Sequence, residues 1–557
     1  MNTTRLEGGF NYRYSFVFSF FLICFAAEEF KYIAIVSAKS VKRCGIVLLV
    51  SIVLVFSVRY EFTNAGYVLF DLILLLMMWG LVCIYRKKPE KLTQKTMSGL
   101  LLLLVSANLF GNFMFSTGKM SDYEMDLQLY KANVLFSGSS VDAMNTVEKG
   151  FFRMEKDVSE SGTIGADPYL YGYNGVSSSG PTIRMFVHRQ LNKLGINFFD
   201  MRHWYQAGAP TATDSLLGLK YILASRADIG EEKEYPMVVS TEENAVYQNP
   251  NALNISILAN RESLDIELGN NAFDNLNEVW KKMSGGDKDI FTIQKDVNFT
   301  LHNMTDSFST TSEDINTSVS NSAAGVEDDS PTTAYVESEF VAEKTGPVYR
   351  IDTSIPETEY GDMNISIKYC GYFKEGDLVK DISKTNALTA SRQDFMTYCS
   401  HIVYAYADNR VVADYAEQLN GRDITFNVLQ EHHLTGTFTA EAGQTILFTI
   451  PWDEGWSAYV DGQKVPITKT WDLFMSIDAP EGQHNYELRF FPAWMDYGLY
   501  LCGAALVGLA VFLVIWSVRR KKEAAIPDRT ESEPEAGAEP EAVSALEPEQ
   551  GKGDAEA

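Results

Sequence analysis

The sequence predicts an α+β membrane protein, with about five transmembrane helices and a large external region made of an α/β module and an antiparallel β-sandwich. Three observations carry this reading. Apolar residues crowd into 14 to 116 and 498 to 518, whereas the region between is polar, aromatic and rich in Asn, Ser, Thr and acidic residues. Helical and strand signals mix between 120 and 265. From about 290 onward, many short stretches alternate apolar and polar residues between Gly, Asn and Asp turns, as the strands of a sandwich do.

Four apolar stretches occupy the first part, Tyr14 to Ala27, Cys44 to Val58, Ala65 to Tyr85 and Met97 to Ser116, and a fifth closes the folded chain at 498–518. The first two are short, and the third and fourth approach the roughly 20 residues a helix needs to cross the hydrocarbon. Basic residues favour the cytoplasmic side, and "KSVKR", "YRKKPEKLTQK" and "RRKK" all fall on one side if there are five crossings. That places residues 117–497 outside a cell membrane and the tail from Arg519 inside. Residues 1–27 also admit a signal-peptide reading, because an apolar run ends in small residues before acids.

The domains expected are a four-helix membrane part at 1–116, an α/β module at 117–265, a sandwich at 266–497, a transmembrane helix at 498–518 and a tail at 519–557. In the module, "SSVDAMNTVEKGFFRMEKD" reads as helix then strand. A helix begins after Pro181 and ends at Gly195. "DSLLGLKYILASR" gives a short helix before a buried strand. In the sandwich, a Ser/Thr/Asp-rich stretch at 306–333 reads as a disordered loop. Asp461 and Gly462 suit a type I′ hairpin turn. The Pro-, Ala- and Glu-rich tail reads as disordered.

The formal charge of −26 argues against a nucleic-acid partner. Of six cysteines only Cys370 and Cys399 fall outside apolar stretches, where they form either one disulfide or a pair of small core residues. No Cys-x-x-Cys or His-x-x-x-His spacing occurs, so neither a metal nor another cofactor is expected. "EHH" at Glu431 to His433 reads as a solvated strand end. Trp452 and Trp471 are candidate sugar-binding residues because aromatic faces stack on pyranose rings, with core packing as the alternative. Trp456 alternates with Ala458 and Val460 towards one face, as a core aromatic does.

"NYRYSFVFSFFLI", "YGYNGVSSSG", "DSLLGLKYIL", "VYQNPNALNISI" and "IPWDEGWSAYVDGQKV" with "IDAPEGQHNYELRFFP", followed by a membrane span, resemble in that order the YfhO family of bacterial membrane proteins, from about residue 8 to about 520. The resemblance implies a GT-C-type glycosyltransferase. Such an enzyme takes a sugar from a polyprenyl-phosphate carrier and adds it to a cell-envelope polymer such as lipoteichoic acid. The family's acidic catalytic loop, which follows its first membrane span, has no counterpart in these residues. No catalytic residue is carried over, and a separately encoded N-terminal half is an expected partner.

Given such a carrier, Arg13 and Tyr14 at the end of the first span, Arg59 at the end of the second and Asp71 two turns into the third are candidate lipid-phosphate-binding residues. Interfacial anchoring of Arg13, Tyr14 and Arg59 and helix pairing of Asp71 form the alternative. A noncatalytic, membrane-tethered envelope-binding or scaffolding protein is the rival function. A transporter is a poorer fit to one intramembrane carboxylate.

Overall fold

The computed structural model describes residues 15–30, 32, 35–57, 65–87, 92–120, 127–157, 167–178, 184–199, 202–203, 205, 209–225, 232–240, 244–302, 307–311, 334–355, 364–385, 392–430 and 432–524. It divides into two compact units, 1–490 and 491–557.

The first unit opens with four helices, α1 (Ser15–Phe30), α2 (Ala38–Ser57), α3 (Ala65–Lys87) and α4 (Gln94–Met120). A helix satisfies its own backbone hydrogen bonds, which is what allows an apolar stretch to sit in lipid. Among the described residues three segments are long and apolar enough to cross a membrane: Val68–Lys87 in α3, Lys95–Phe115 in α4 and, in the second unit, Met495–Arg519. Of the five crossings expected, the third, fourth and fifth thus meet the length and hydropathy of a span among the described residues. With 16 residues α1 is short of the bilayer, and the apolar part of α2 begins only at Cys44, after Lys39, Lys42 and Arg43.

A helix α5 (Leu127–Val147) and a mixed sheet follow. The strand order is Arg153–Asp157, Leu219–Ser225, Asn244–Gln248, Met237–Ser240, with the first pair parallel and the rest antiparallel. Alternation along Leu219–Ser225 divides its side chains between two faces. Tyr221 and Leu223 pack with Val141 and Met144 of α5, while Ile222 and Ala224 enter the main core around Phe273 and Trp280. The helices expected after Pro181 and within "DSLLG" occupy Met185–Lys193 and Thr211–Leu216.

Beneath this sheet lies a buried ion pair, Lys233 Nζ to Asp214 Oδ2 at 2.6 Å. The ammonium also donates to Ala209 O at 2.7 Å and to the Tyr205 hydroxyl. All three of its hydrogens therefore have acceptors, the condition under which a buried charge is tolerated. It is a structural device.

Four further sheets fill 256–490. A four-stranded antiparallel sheet built on Asn298–His302 and Ala334–Val341 and another built on Gly346–Ile355 and Ile402–Ala407 share a cluster containing Phe299, Phe340 and Tyr404. A five-stranded sheet centred on Gly482–Phe490 and a four-stranded sheet centred on Phe474–Asp478 and Gln444–Pro451 share a second cluster. In it Leu434, Phe438, Ala458, Val460 and Leu488 meet Leu258, Ile446, Phe448 and Ile477. The strand Ser256–Asn260, from the segment expected to belong to the α/β module, pairs with Gln444–Pro451 and completes this sheet.

Several local expectations change. Ser307–Thr311, read as part of a loop, pairs as a strand with Asn298–His302, while 312–333 lies outside the described residues. Cys370 and Cys399 are free thiols, Cys399 being a core residue of the cluster against which Cys370 packs. The final helix runs from Met495 to Ala524, past the expected start of the tail at 519, and 525–557 lies outside the described residues. At the hairpin Asp461 (φ 49°) and Gly462 (φ 79°) both take left-handed conformations, as a type I′ turn requires.

Candidate functional site

A cleft of about 540 Å³ opens between the mixed sheet and the four-stranded sheet that contains Gln444–Pro451. Two segments far apart in sequence form its walls, Tyr173–Ser178 and Pro451–Asp453, with the helix Met185–Lys193 behind them. Phe151, Tyr169 and Trp452 supply aromatic surface. Tyr169 is 72% exposed and its hydroxyl lies 3.2 Å from Ser178 Oγ.

The wall is held from below by Glu155. Strand alternation turns this residue inward from Arg153–Asp157, where its carboxylate accepts from the backbone N–H of Val176, from that of Ser177 at 2.6 Å and from Ser177 Oγ at 2.9 Å. Ser177 Oγ in turn accepts from Tyr205 N at 2.9 Å. Gly175 is required by close approach, since a Cβ there would stand 2.6 Å from Glu155 Oε1 and 2.8 Å from Pro168. Burial pushes the Glu155 carboxyl up to about 7, against the opposing pull of its donors.

Arg153, two residues earlier on the same face, reaches across the cleft floor. Nη1 donates to Leu217 O at 2.8 Å and Thr449 Oγ1 at 3.1 Å, and Nη2 donates to Thr449 O at 2.8 Å. Burial lowers the guanidinium to about 10, so it stays charged at neutral pH. At the rim Arg184 and Asp453 pair at 2.8 Å, and Asp453 Oδ1 also accepts from Gly455 N. Trp452 is anchored by its backbone N–H to Leu473 O at 2.7 Å, with Lys469 Nζ 5.7 Å from its ring centroid. Asp453 at the rim and Glu155 behind the wall are both engaged in positioning neighbouring groups. The cleft offers a ligand aromatic faces, hydroxyls and one exposed ion pair.

Of the residues singled out from sequence, Trp452 lines this cleft. Trp471 does not. It is 4% exposed, its indole N–H donates to Ser263 O at 2.7 Å and its ring packs edge-on against Phe474. The sugar-contact reading of Trp471 is therefore corrected to a core role. Trp456 packs on Phe490.

In the membrane part, Asp71 accepts from Asn108 Nδ2 at 2.7 Å and Asn112 Nδ2 at 3.2 Å, and Asn112 also donates to Asn108 Oδ1. The carboxylate thus joins α3 to α4. Arg13, Tyr14 and Arg59 lie outside the described residues.

Sequence reasoning passed over Glu155, Arg153, Arg184 and Tyr169. The "YGYNG" run was the available signal for the first, because a glycine between polar and aromatic residues marks a close backbone approach. Asn108 and Asn112, four apart in an apolar helix, were the signal for a partner to Asp71.

Long apolar helices joined to a folded region of mixed helix and sheet define a membrane protein. The family described as Bacterial membrane protein YfhO matches residues 8–502, and the chain belongs to it. A curated relative, "Uncharacterized protein YfhO" of Bacillus subtilis (strain 168), is 26% identical over 97 residues, which cover 17% of this chain and 11% of that protein. No solved structure matches the chain.

Proposed function

We propose that this chain is the polymer-engaging part of a membrane glycosyltransferase that moves a sugar from a polyprenyl-phosphate carrier to a lipoteichoic-acid-like polymer on the outer face of the cell membrane. The observation that supports this reading is the cleft, where the "YGYNG" and "PWD" segments meet around Trp452 and Tyr169 although some 280 residues separate them. In this reading the facing sheets that share Phe438 and Phe448 are the external sandwich, and the cleft holds the acceptor. Arg13, Tyr14 and Arg59 hold the carrier phosphate at headgroup level. Asp71 helps form that site by fixing α3 against α4.

The same cleft supports a second reading, a noncatalytic tethered protein that binds envelope polymer, because Glu155 and Asp453 are spent on holding loops. One preparation separates the two. The full chain in nanodiscs is titrated with lipoteichoic acid while tryptophan fluorescence is followed, then supplied with a polyprenyl-phosphate-linked sugar. Binding that weakens about ten-fold in Trp452→Ala is the expected result. Equal binding by wild type and variant removes the cleft from both readings. Sugar transfer supports the enzyme, and binding without transfer supports the tether.

A further inference from the structure

We infer that the cleft recognises its polymer by a negative charge carried in the repeating unit, an oxyanion seated on the open edge of the Arg153 guanidinium. This rests on the cleft reading and names the group that is read.

Arg153 lines the cleft, and a guanidinium carries five N–H groups on a planar fork. Three of them are used within the protein, two from Nη1 on Leu217 O and Thr449 Oγ1 and one from Nη2 on Thr449 O. The Nε–H and the second Nη2–H have no acceptor among the described residues. Because Nη1 and Nη2 both turn to Thr449, the remaining pair lies side by side along the Nε edge. That spacing takes two oxygens of one phosphate or carboxylate.

The charge is unmatched as well. Glu155, two residues on, directs its carboxylate to Val176 and Ser177. Among the described residues no carboxylate stands within ion-pair distance of Arg153, although the guanidinium stays charged at neutral pH. The lining of the cleft repeats the imbalance. Its charged side chains are Arg153, Arg184 and Asp453, two cations to one anion, in a chain whose formal charge is −26. A concave site with a cationic surplus concentrates anions.

The chemistry selects the occupant. A neutral glycan would cover the Arg153 edge without satisfying it and leave two donors stripped of water. A phosphodiester or a carboxylate completes the fork, and Trp452 and Tyr169 remain to face the sugar or polyol beside it. At the rim Asp453 holds Arg184 at 2.8 Å and keeps that second cation in check.

The test titrates the full chain in nanodiscs with tetramers of glycerol phosphate, galacturonate and β-linked N-acetylglucosamine, and with inorganic phosphate. At low salt at least one charged tetramer is expected to bind about ten-fold or more tighter than the neutral one, an advantage that shrinks as salt rises. Asp453→Asn keeps an acceptor for Gly455 N and releases Arg184. It should tighten the charged tetramer about two- to five-fold and leave the neutral one unchanged, a gain that misfolding does not imitate. Arg153→Lys keeps the charge without the fork and should abolish most of the preference. Which charged tetramer binds names the oxyanion. Equal affinity for charged and neutral tetramers, no tightening in Asp453→Asn, or a preference intact in Arg153→Lys overturns the inference while the cleft stands. Inorganic phosphate that matches the tetramer, or polyprenyl phosphate in the disc that displaces it, overturns it too, since the edge would then serve a free phosphate or the carrier. Failure of every tetramer to bind overturns the cleft reading and the inference with it.

Discussion

At the scale of single residues, Glu155 shows how one buried carboxylate shapes the wall of a cleft. It receives two backbone N–H groups and a hydroxyl from Val176 and Ser177, yet burial outweighs them and holds its pKa near 7. The folded state therefore binds its proton more tightly than an unfolded chain, whose glutamate titrates near 4.5. This contribution to stability is fully present below about pH 4.5 and is lost as pH rises through about 7. Across that range the loss is on the order of 3 kcal/mol. Denaturant unfolding of wild type and Glu155→Gln between pH 4.5 and 8 should diverge in slope, with the variant lacking this component. Parallel pH profiles would refute the assignment.

Residue-scale readings from sequence were right where local chemistry decides. Asp461 and Gly462 take the conformations their turn demands because no distant residue need be consulted. Trp452 and Trp471 could not be told apart this way. Nineteen positions separate two similar aromatic residues, and burial by Ser263 and Phe474, remote or folded back, determines that only the first is available to a ligand.

Among elements, the helix pair α3–α4 carries its own specificity in the Asp71, Asn108 and Asn112 cluster. Apolar helices have little hydrophobic reason to choose each other within lipid, and polar contacts fix which faces meet. Asp71→Ala removes the shared acceptor. It should cost about 0.6 to 1.7 kcal/mol of helix association in the bilayer, measurable by steric trapping. Asn108→Ala, which leaves Asn112 as a donor, should cost less. No change in Asp71→Ala would leave the carboxylate without a packing role and favour a functional one. The acidic residue was visible in sequence because charge inside a span is rare, but its partners were not, since the helix rotations that align positions 71, 108 and 112 follow from packing.

For the molecule as a whole, the region 127–490 is tied together across expected domain limits. Ser256–Asn260 is a strand of the sheet formed by Gln444–Pro451. Arg153 bonds to Leu217 and Thr449, joining the mixed sheet to that same strand. One core cluster draws on Leu191, Ile222, Trp280, Tyr349, Leu447 and Phe474, from nearly every part of this region. Calorimetry of the full chain should therefore show one cooperative transition for this region, and two resolved transitions would contradict the shared core. Arg153→Met strips three hydrogen bonds from buried acceptors. It should lower stability by about 2–5 kcal/mol and weaken cleft binding along with it.

Taken by itself, the sequence determined the apolar segments, the alternation of short strands, the hairpin turn and membership of the YfhO family, all of which depend on neighbouring residues or on ordered local motifs. Only the tertiary structure decided that residues 173–178 and 451–453 share a cleft. It alone also placed Glu155 and Arg153 beneath that cleft. The physical reason is that periodicity states which face of a strand is buried, whereas the partner that buries it is chosen by packing between elements hundreds of residues apart.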